Sequence, residues 1–443
     1  MKRLKGAIAQ QLNSKIGRSA AWMFQGQAVQ LVAQFGYFVI IARVLGPTGY
    51  GAFVASTAVV LALAPFSPMG AGQVMMKYAS RDRSQLNLYF GNSIFITVIS
   101  GICWAVVLQF LRGWLLPASV SVGMLLCVAL SDLICTQLTA NCSLAFLAMD
   151  RPRQAASATL SGSVLRFFAC LVLLCFSPSP ALWARFYLCA ALMAALYQIW
   201  SVIRACGRPK LALGRIPASL GEGFHFATSF TAQTVYDNID KTQLARMASV
   251  EAAAVYAVAY RFVDASVVPI RALAASTYTE YFRKGEGGVT ATAQFARKIM
   301  RRSVPYGLVV SLMLFCAAGL VPWVMGPKYA DSVEALRWLS PLPLIKSVHA
   351  FLTDILTGAN RQSERSYVQI GIAIFNVVIN LWLIRQFTWR GAAWSSVATD
   401  TLLMVSLYTV IRWRISQERR SRIGSSVPPP PSSGEKKLNR VEV

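Results

Sequence analysis

The chain has 443 residues, of which 55% are hydrophobic and 14% charged, with a mean hydropathy of +0.49. A water-soluble globule cannot cover that much apolar surface, so soluble enzymes and soluble binding modules are excluded and a polytopic membrane protein is expected. The net charge of +25 raises nucleic acid as a partner, but the basic residues lie in short stretches between apolar segments rather than on one basic face, and no nucleic-acid partner is expected.

Residues 1–19 are basic and weakly amphipathic. They lead into an apolar stretch with no small-residue cleavage site before Gly46, which reads as an uncleaved first helix behind a cytoplasmic basic N-terminus. Twelve apolar segments follow, each long enough to cross about 30 Å of hydrocarbon. They fall near residues 20–44, 51–75, 88–111, 119–147, 155–176, 182–204, 220–246, 252–276, 303–325, 333–358, 366–385 and 390–412. A Gly/Pro turn (Gly46, Pro47, Gly49, Gly51) separates the first two, and Pro65 and Pro68 break the second.

A common shift lays Ala42 and Arg43 on Ala245 and Arg246, Phe53 on Tyr256, Tyr78 on Tyr281 and Arg81 on Lys284, with Pro269 one place from Pro65. Two six-helix halves are implied, and because each holds an even number of spans the repeats run parallel. The expected fold is therefore an all-α polytopic membrane protein with about 12 spans in two six-helix parallel pseudo-repeats, forming a two-lobed transporter. Its divisions are an N-lobe at 20–204, a cytoplasmic linker at 205–219, a C-lobe at 220–413, and a disordered basic cytoplasmic tail at 414–443 that is rich in Pro, Ser and charge. Lys and Arg set the orientation. Thirty lie in the loops and ends on the N-terminal side against eight on the other, so both termini are expected in the cytoplasm.

The nine cysteines lie almost wholly in apolar segments, without C-x-x-C or His/Cys ligand spacing, and read as small core residues with no metal site. Intramembrane charges carry more information, because one at the bilayer centre costs about 2.5–3.5 kcal/mol even on the gentlest insertion scale and should face an interior cavity or a partner. In the eighth segment Arg261, Asp264 and Arg271 share a helical face, and in the tenth so do Lys346, His349 and Asp354. Asp132, Arg166 and Asp400 stand alone in mid-segment.

One reading of these charges is a lumen between the lobes in which Arg166, Arg261, Arg271 and Lys346 attract an anionic headgroup. The plainer one pairs Arg261 with Asp264 as a helix-packing couple, and the acids Asp132, Asp264, Asp354 and Asp400 match the four bases in number. Proton or sodium coupling has Asp237, Asp240, His349 and Asp264 as candidates, although Asp237 and Asp240 also suit a polar helix end beside Lys241. No cofactor is expected. Arg43 and Arg246 read as side chains snorkelling outward.

The runs ARVLGPTGYGAFVAS, SPMGAGQVMMKYASRD, DNIDKTQLARMASVEAAAVYAVAYRFVDASVVPIRAL, ILTGANRQSERSYVQIGIAIFNVVINLWLI and WRGAAWSSVATD resemble the polysaccharide-biosynthesis flippases (Wzx type) of the MATE-like exporter superfamily. The resemblance covers Gly17 to Trp413, and its strongest elements are Leu45-Gly46-Pro47 with Tyr50-Gly51-Ala52-Phe53, and Ile239-Asp240-Lys241. It implies export of undecaprenyl-pyrophosphate-linked oligosaccharide across a bacterial inner membrane by alternating access, for exopolysaccharide, capsule or O-antigen (lipopolysaccharide) synthesis. The partners it implies are the lipid-linked oligosaccharide, membrane lipids, and polysaccharide polymerase and chain-length machinery. Two alternatives remain. A multidrug or cation antiporter of the same superfamily requires a defined carboxylate in the first lobe, where only Asp132 stands. A membrane glycosyltransferase or O-antigen polymerase requires a sizeable external loop, which this chain lacks.

Overall fold

The computed structural model describes residues 15–425. The first two expected spans run together as α1 (Lys15–Leu63), which breaks at Gly46, where φ is 65° and ψ 178°. Only glycine enters that region without strain, and Pro47 then starts the second half of the helix, where its fixed φ is already helical. A 3-10 turn at Ala64–Phe66 ends the second span, and Met69 and Gly70 take positive φ before α2 (Ala71–Arg81) leads away.

Next come α3 (Leu86–Leu115) and a span made of α4 (Val122–Ala129), a π-helical stretch at Leu130–Cys135 and α5 (Thr136–Ala148). The first half of the chain closes with α6 (Pro152–Leu173) and α7 (Pro180–Cys206). The second opens with α8 (Ile216–Met247), α9 (Val250–Ser266), α10 (Val268–Gly285) and α11 (Gly288–Ala317). After the short α12 (Val321–Met325) come α13 (Ser332–Leu339) and α14 (Leu342–Gly358). The last two expected spans merge as α15 (Gln362–Ser425), broken at Thr388, where φ is 53°.

Among the described residues seven helices are long and apolar enough to cross a membrane, or eight when α9 and α10, bent by 44° at their junction, count as one span. Two of the seven hold two expected spans each, which accounts for part of the difference from twelve. The remainder are α8, whose sequence carries Glu222, His225, Asp237, Asp240 and Lys241, and the pair α13 and α14, each short. Lipid disfavours such polarity, so these elements need the molecule's interior. The apolar helices instead turn large side chains outward: Phe110 is 83% and Trp114 85% exposed, and Val309, Leu312, Val378 and Trp382 are also exposed. This is a multi-pass membrane protein, since a continuous apolar surface of that kind needs lipid around it.

The largest core joins the two halves of the chain at the end bearing Gly46. There Tyr50, Phe53 and Val60 of α1 pack with Trp183 and with Ala253, Ala257 and Tyr256 of α9. Small residues allow the approach, as in membrane helix pairs generally, and a Cβ on Gly51 would overlap the carbonyl of Val250. Toward the other end the cores are separate, one around Val74, Phe90 and Phe146, the other around Tyr281, Phe351 and Leu407. Helix α8 runs between the halves, packing on α1 and α2 of the first and on α9 and α15 of the second.

Several expectations change. Cys135, Cys142 and Cys170 are buried, but Cys103, Cys175, Cys189 and Cys316 are exposed rather than in the core, because they sit on the outward faces of their helices. The linker is pinned: Lys210 N donates to Asn87 O at 2.9 Å, and Ala212 and Asn92 exchange bonds through the Asn92 amide. The chain past 414 does not unravel at once, for α15 continues to Ser425. Arg414 forks onto Glu364, and the Glu418 carboxylate accepts from Val289 N at 2.7 Å and Thr290 N at 3.0 Å, capping α11. The basic N-terminus at 1–14 and the tail at 426–443 lie outside the described residues.

Candidate functional site

Two cavities meet at Arg271. The smaller, about 230 Å³, lies between the halves: Tyr50, Thr57 and Leu61 of α1 form one wall, and Lys241, Tyr260, Arg261 and Asp264 of α8 and α9 the other. The larger, about 500 Å³, lies within the second half, where Arg271 of α10, Lys346, His349 and Asp354 of α14, and Arg365 and Gln369 of α15 converge. The break at Pro269 creates this arrangement. Along one straight helix Arg261, Asp264 and Arg271 would share a face, but the bend after Ser266 turns α10 so that Arg271 Nη2 donates to Asp264 Oδ1 at 3.1 Å. Asp264 thus bonds Arg271, where the plainer of the two readings paired it with Arg261. Arg261 instead lies 6.0 Å from the ring centre of Phe38 and lines the smaller cavity with Tyr50.

Behind these walls runs a polar network. Lys346 Nζ lies 3.5 Å from Asp400 Oδ2 and donates to Tyr260 Oη at 3.2 Å. His349 Nε2 lies 3.5 Å from Asp400 Oδ1. Asp240, 4% exposed, accepts from Tyr256 Oη and lies 3.5 Å from Lys241 Nζ. Tyr256 Oη also meets Ser396 Oγ at 2.8 Å, and Asn376 bonds Thr399 and Asn380, both at 3.2 Å. Both Lys241 and Lys346 face the ring of Tyr260, at 4.6 and 5.6 Å.

Arg166 is placed elsewhere. It sits inside the first half, where its Nη2 donates to Asp132 Oδ1 and Thr136 Oγ1, both at 2.9 Å, and its guanidinium stacks 4.0 Å over Tyr187. Tyr187 Oη completes the set on Asp132 at 3.0 Å. The π-helical stretch presents Ser131 and Asp132 inward at this point. The structure therefore brings together Arg261, Arg271, Lys346, Asp240, Asp264 and His349 around the two cavities and leaves Arg166 apart. The side chain of Asp237 lies outside the described residues.

Arg43 and Arg246, both exposed, reach across to the opposite half. Arg43 donates from α1 to Trp323 O and, at 2.6 Å, to Val324 O in the second half. Its repeat-related counterpart Arg246 donates from α8 to Trp114 O at 3.2 Å and Gly113 O at 3.4 Å in the first half. With Tyr329 Oη donating to Ala42 O at 2.8 Å, these reciprocal bonds latch the halves at the Gly46 end. The backbone carbonyls they use have no side-chain signature, so sequence inspection could not reveal them. Asp354 lines the larger cavity with Lys346 and His349, as their shared helical face suggested, while Arg365, expected in a loop, and Gln369 are the cavity residues that sequence reading missed. The i, i+4 pairs Asn376/Asn380 and Ser395/Thr399 inside apolar segments were a readable sign of a buried polar seam. Among the described residues no group of His, Cys, Asp and Glu is arranged to hold a metal.

A sequence model for the family described as polysaccharide biosynthesis protein matches residues 16–278. Among curated proteins none matches. Among solved structures, an inward-facing multidrug resistance MATE family transporter of the MOP superfamily is similar at 14% identity with TM-score 0.72, over 92% of this chain and 100% of that one. The lipid II flippase MurJ in an inward closed conformation is similar at 10% identity and TM-score 0.71, over 89% and 87%. A MOP superfamily transporter from Pyrococcus furiosus, described by the reverse polarity of its binding pocket, is similar at 15% identity and TM-score 0.64, over 93% and 95%. At these identities the shared property is the fold.

Proposed function

Because the chain belongs to the polysaccharide biosynthesis protein family, we propose that it moves a polyprenyl-diphosphate-linked oligosaccharide across the bacterial inner membrane by alternating access. The observation that carries this reading is the polarity of the cavity between the halves: Lys241, Arg261 and Arg271 face it against one acid, Asp264. Guanidinium and ammonium groups at membrane depth attract a diphosphate, while the polyprenyl tail stays in lipid. A cation antiporter, the second reading, is favoured by the MATE fold, but it needs a carboxylate-lined drug site, and the one acid of the first-half network, Asp132, is engaged by Arg166 and Tyr187.

In this reading the lobes at 20–204 and 220–413 rock about the breaks at Pro65 and Pro269, the termini lie in the cytoplasm, and the latch of Arg43 and Arg246 closes the outer face. Asp240, Asp264 and His349 are the groups with which a proton or sodium gradient would be coupled, Asp237 remaining a fourth candidate. The exported unit would pass to polymerase and chain-length machinery.

Deletion followed by lipid extraction tests the reading. Lipid-linked repeat units held on the cytoplasmic leaflet are expected, whereas unchanged lipid intermediates with altered drug sensitivity would transfer the case to the antiporter.

A further inference from the structure

Three residues of the larger cavity hold a buried polar atom with no hydrogen-bond partner among the described residues: Asp354, Arg365 and His349, whose Nε2 lies 3.5 Å from Asp400. Asp354 is 8% exposed, and its Oδ2 has no hydrogen-bond partner among the described residues. Arg365 Nη1 donates to Thr357 Oγ1 at 2.8 Å, but its buried Nε is also unbonded. A buried polar atom without a partner costs about 1–3 kcal/mol, more when charged, and both residues line open space.

The cavity is elongated. Lys346 and Asp354 lie on one face of α14, eight residues and so about 12 Å apart, with Arg271 and Arg365 contributed by neighbouring helices. Its volume of about 500 Å³ falls within the range of sites that enclose a small molecule, about 300–1,000 Å³. A bare phosphate suits Arg365, Arg271 and Lys346, the last two already paired with Asp264 and Asp400, but is repelled by Asp354, and a metal cation suits Asp354 but is repelled by the bases. A ligand that satisfies both carries anionic oxygens and, a few ångströms away, hydroxyl or amide donors.

We propose that this cavity holds the sugar-diphosphate headgroup: Arg365, Arg271 and Lys346 bind the diphosphate, and Asp354, with Gln369 beside it, accepts from the hydroxyls or acetamido N–H of the first sugar. The proposal rests on the lipid-linked-sugar reading above and adds to it the place of the headgroup, within the second half rather than shared equally by both. Asp354 is then the residue that distinguishes a loaded lipid from a bare one, since it repels a diphosphate that lacks the sugar donors.

Full-length protein in nanodiscs is titrated with polyprenyl diphosphate bearing one N-acetylhexosamine, with bare polyprenyl diphosphate and with polyprenyl monophosphate. The wild type is expected to bind the sugar-bearing probe about tenfold tighter than the bare diphosphate. Asp354→Asn should erase that preference, losing affinity for the first probe and gaining it for the second, and Arg365→Gln should weaken both by about tenfold. If the wild type binds none of the probes, the lipid-linked-sugar reading fails and this proposal with it. If the wild type prefers the sugar-bearing probe and both variants match it, only the cavity assignment fails. An Asp354→Asn variant with wild-type binding whose transport no longer depends on the proton gradient likewise overturns it.

Should the charge variants misfold, Ala350→Cys on the cavity wall supplies the readout. Its alkylation by a maleimide, followed by mass spectrometry, is expected to slow several-fold with the sugar-bearing probe bound. An unchanged rate would refute the site.

Discussion

Arg166 and Arg261 are both isolated guanidiniums in apolar helices, and their neighbours give them different work. Arg166 is bound by Asp132, Thr136 and the face of Tyr187, so removing it strands a buried carboxylate. The Arg166→Ala variant is expected to lose about 3–5 kcal/mol of stability, seen as a lower unfolding temperature in detergent and less protein in the membrane. Arg261 faces open space beside Tyr50. Its replacement by Ala should reduce export at least tenfold with wild-type protein levels and melting, whereas Lys346 is paired with the buried Asp400 at 3.5 Å, so Lys346→Ala should reduce export and lower the unfolding temperature together; wild-type export by both would remove these residues from the path. The sequence showed that all three sit at costly depth. It could not show which was already neutralised, because that depends on how α5, α6 and α7 rotate about one another.

At the scale of elements, the breaks were legible and their consequences were not. Pro65, Pro68 and Pro269 stand out in apolar segments, and the helices do end or bend there. The 44° turn between α9 and α10 has Pro269 as its local signal, but its direction, which delivers Arg271 to Asp264, has none. The same limit hid the latch: Arg43 and Arg246 matched in the repeat, but their partners are carbonyls on distant helices. Losing both arginines in the pair Arg43→Ala and Arg246→Ala should loosen the Gly46 end. Spin labels on Leu111→Cys and Leu320→Cys, exposed positions in opposite halves near the latch, are expected to report a longer and broader distance distribution. An unchanged distribution would show that the latch does not hold the halves together. Gly51→Ala should act in the same direction, because its Cβ cannot coexist with the Val250 carbonyl at the present spacing.

For the whole molecule, composition identified the solvent, and the all-α fold it called for is similar to that of a MATE family transporter over 92% of the chain. The distribution of polarity then ties fold to activity. The helices that are too polar or too short to stand alone in lipid, α8, α13 and α14, lie among the others, and α8 and α14 share the charge around the two cavities with α9, α10 and α15. A shared core at one end and separate cores at the other are what the proposed alternating access requires of a body that closes on one side while parting on the other. The most direct measurement is made in proteoliposomes containing only this protein and a fluorescent polyprenyl-diphosphate sugar, with a membrane-impermeant reagent to quench the label outside. Protein-dependent movement of the probe between leaflets, abolished by Arg261→Ala with Lys346→Ala, is expected; probe that stays in its original leaflet under an imposed proton or sodium gradient, in vesicles where the protein is folded, would contradict the assignment.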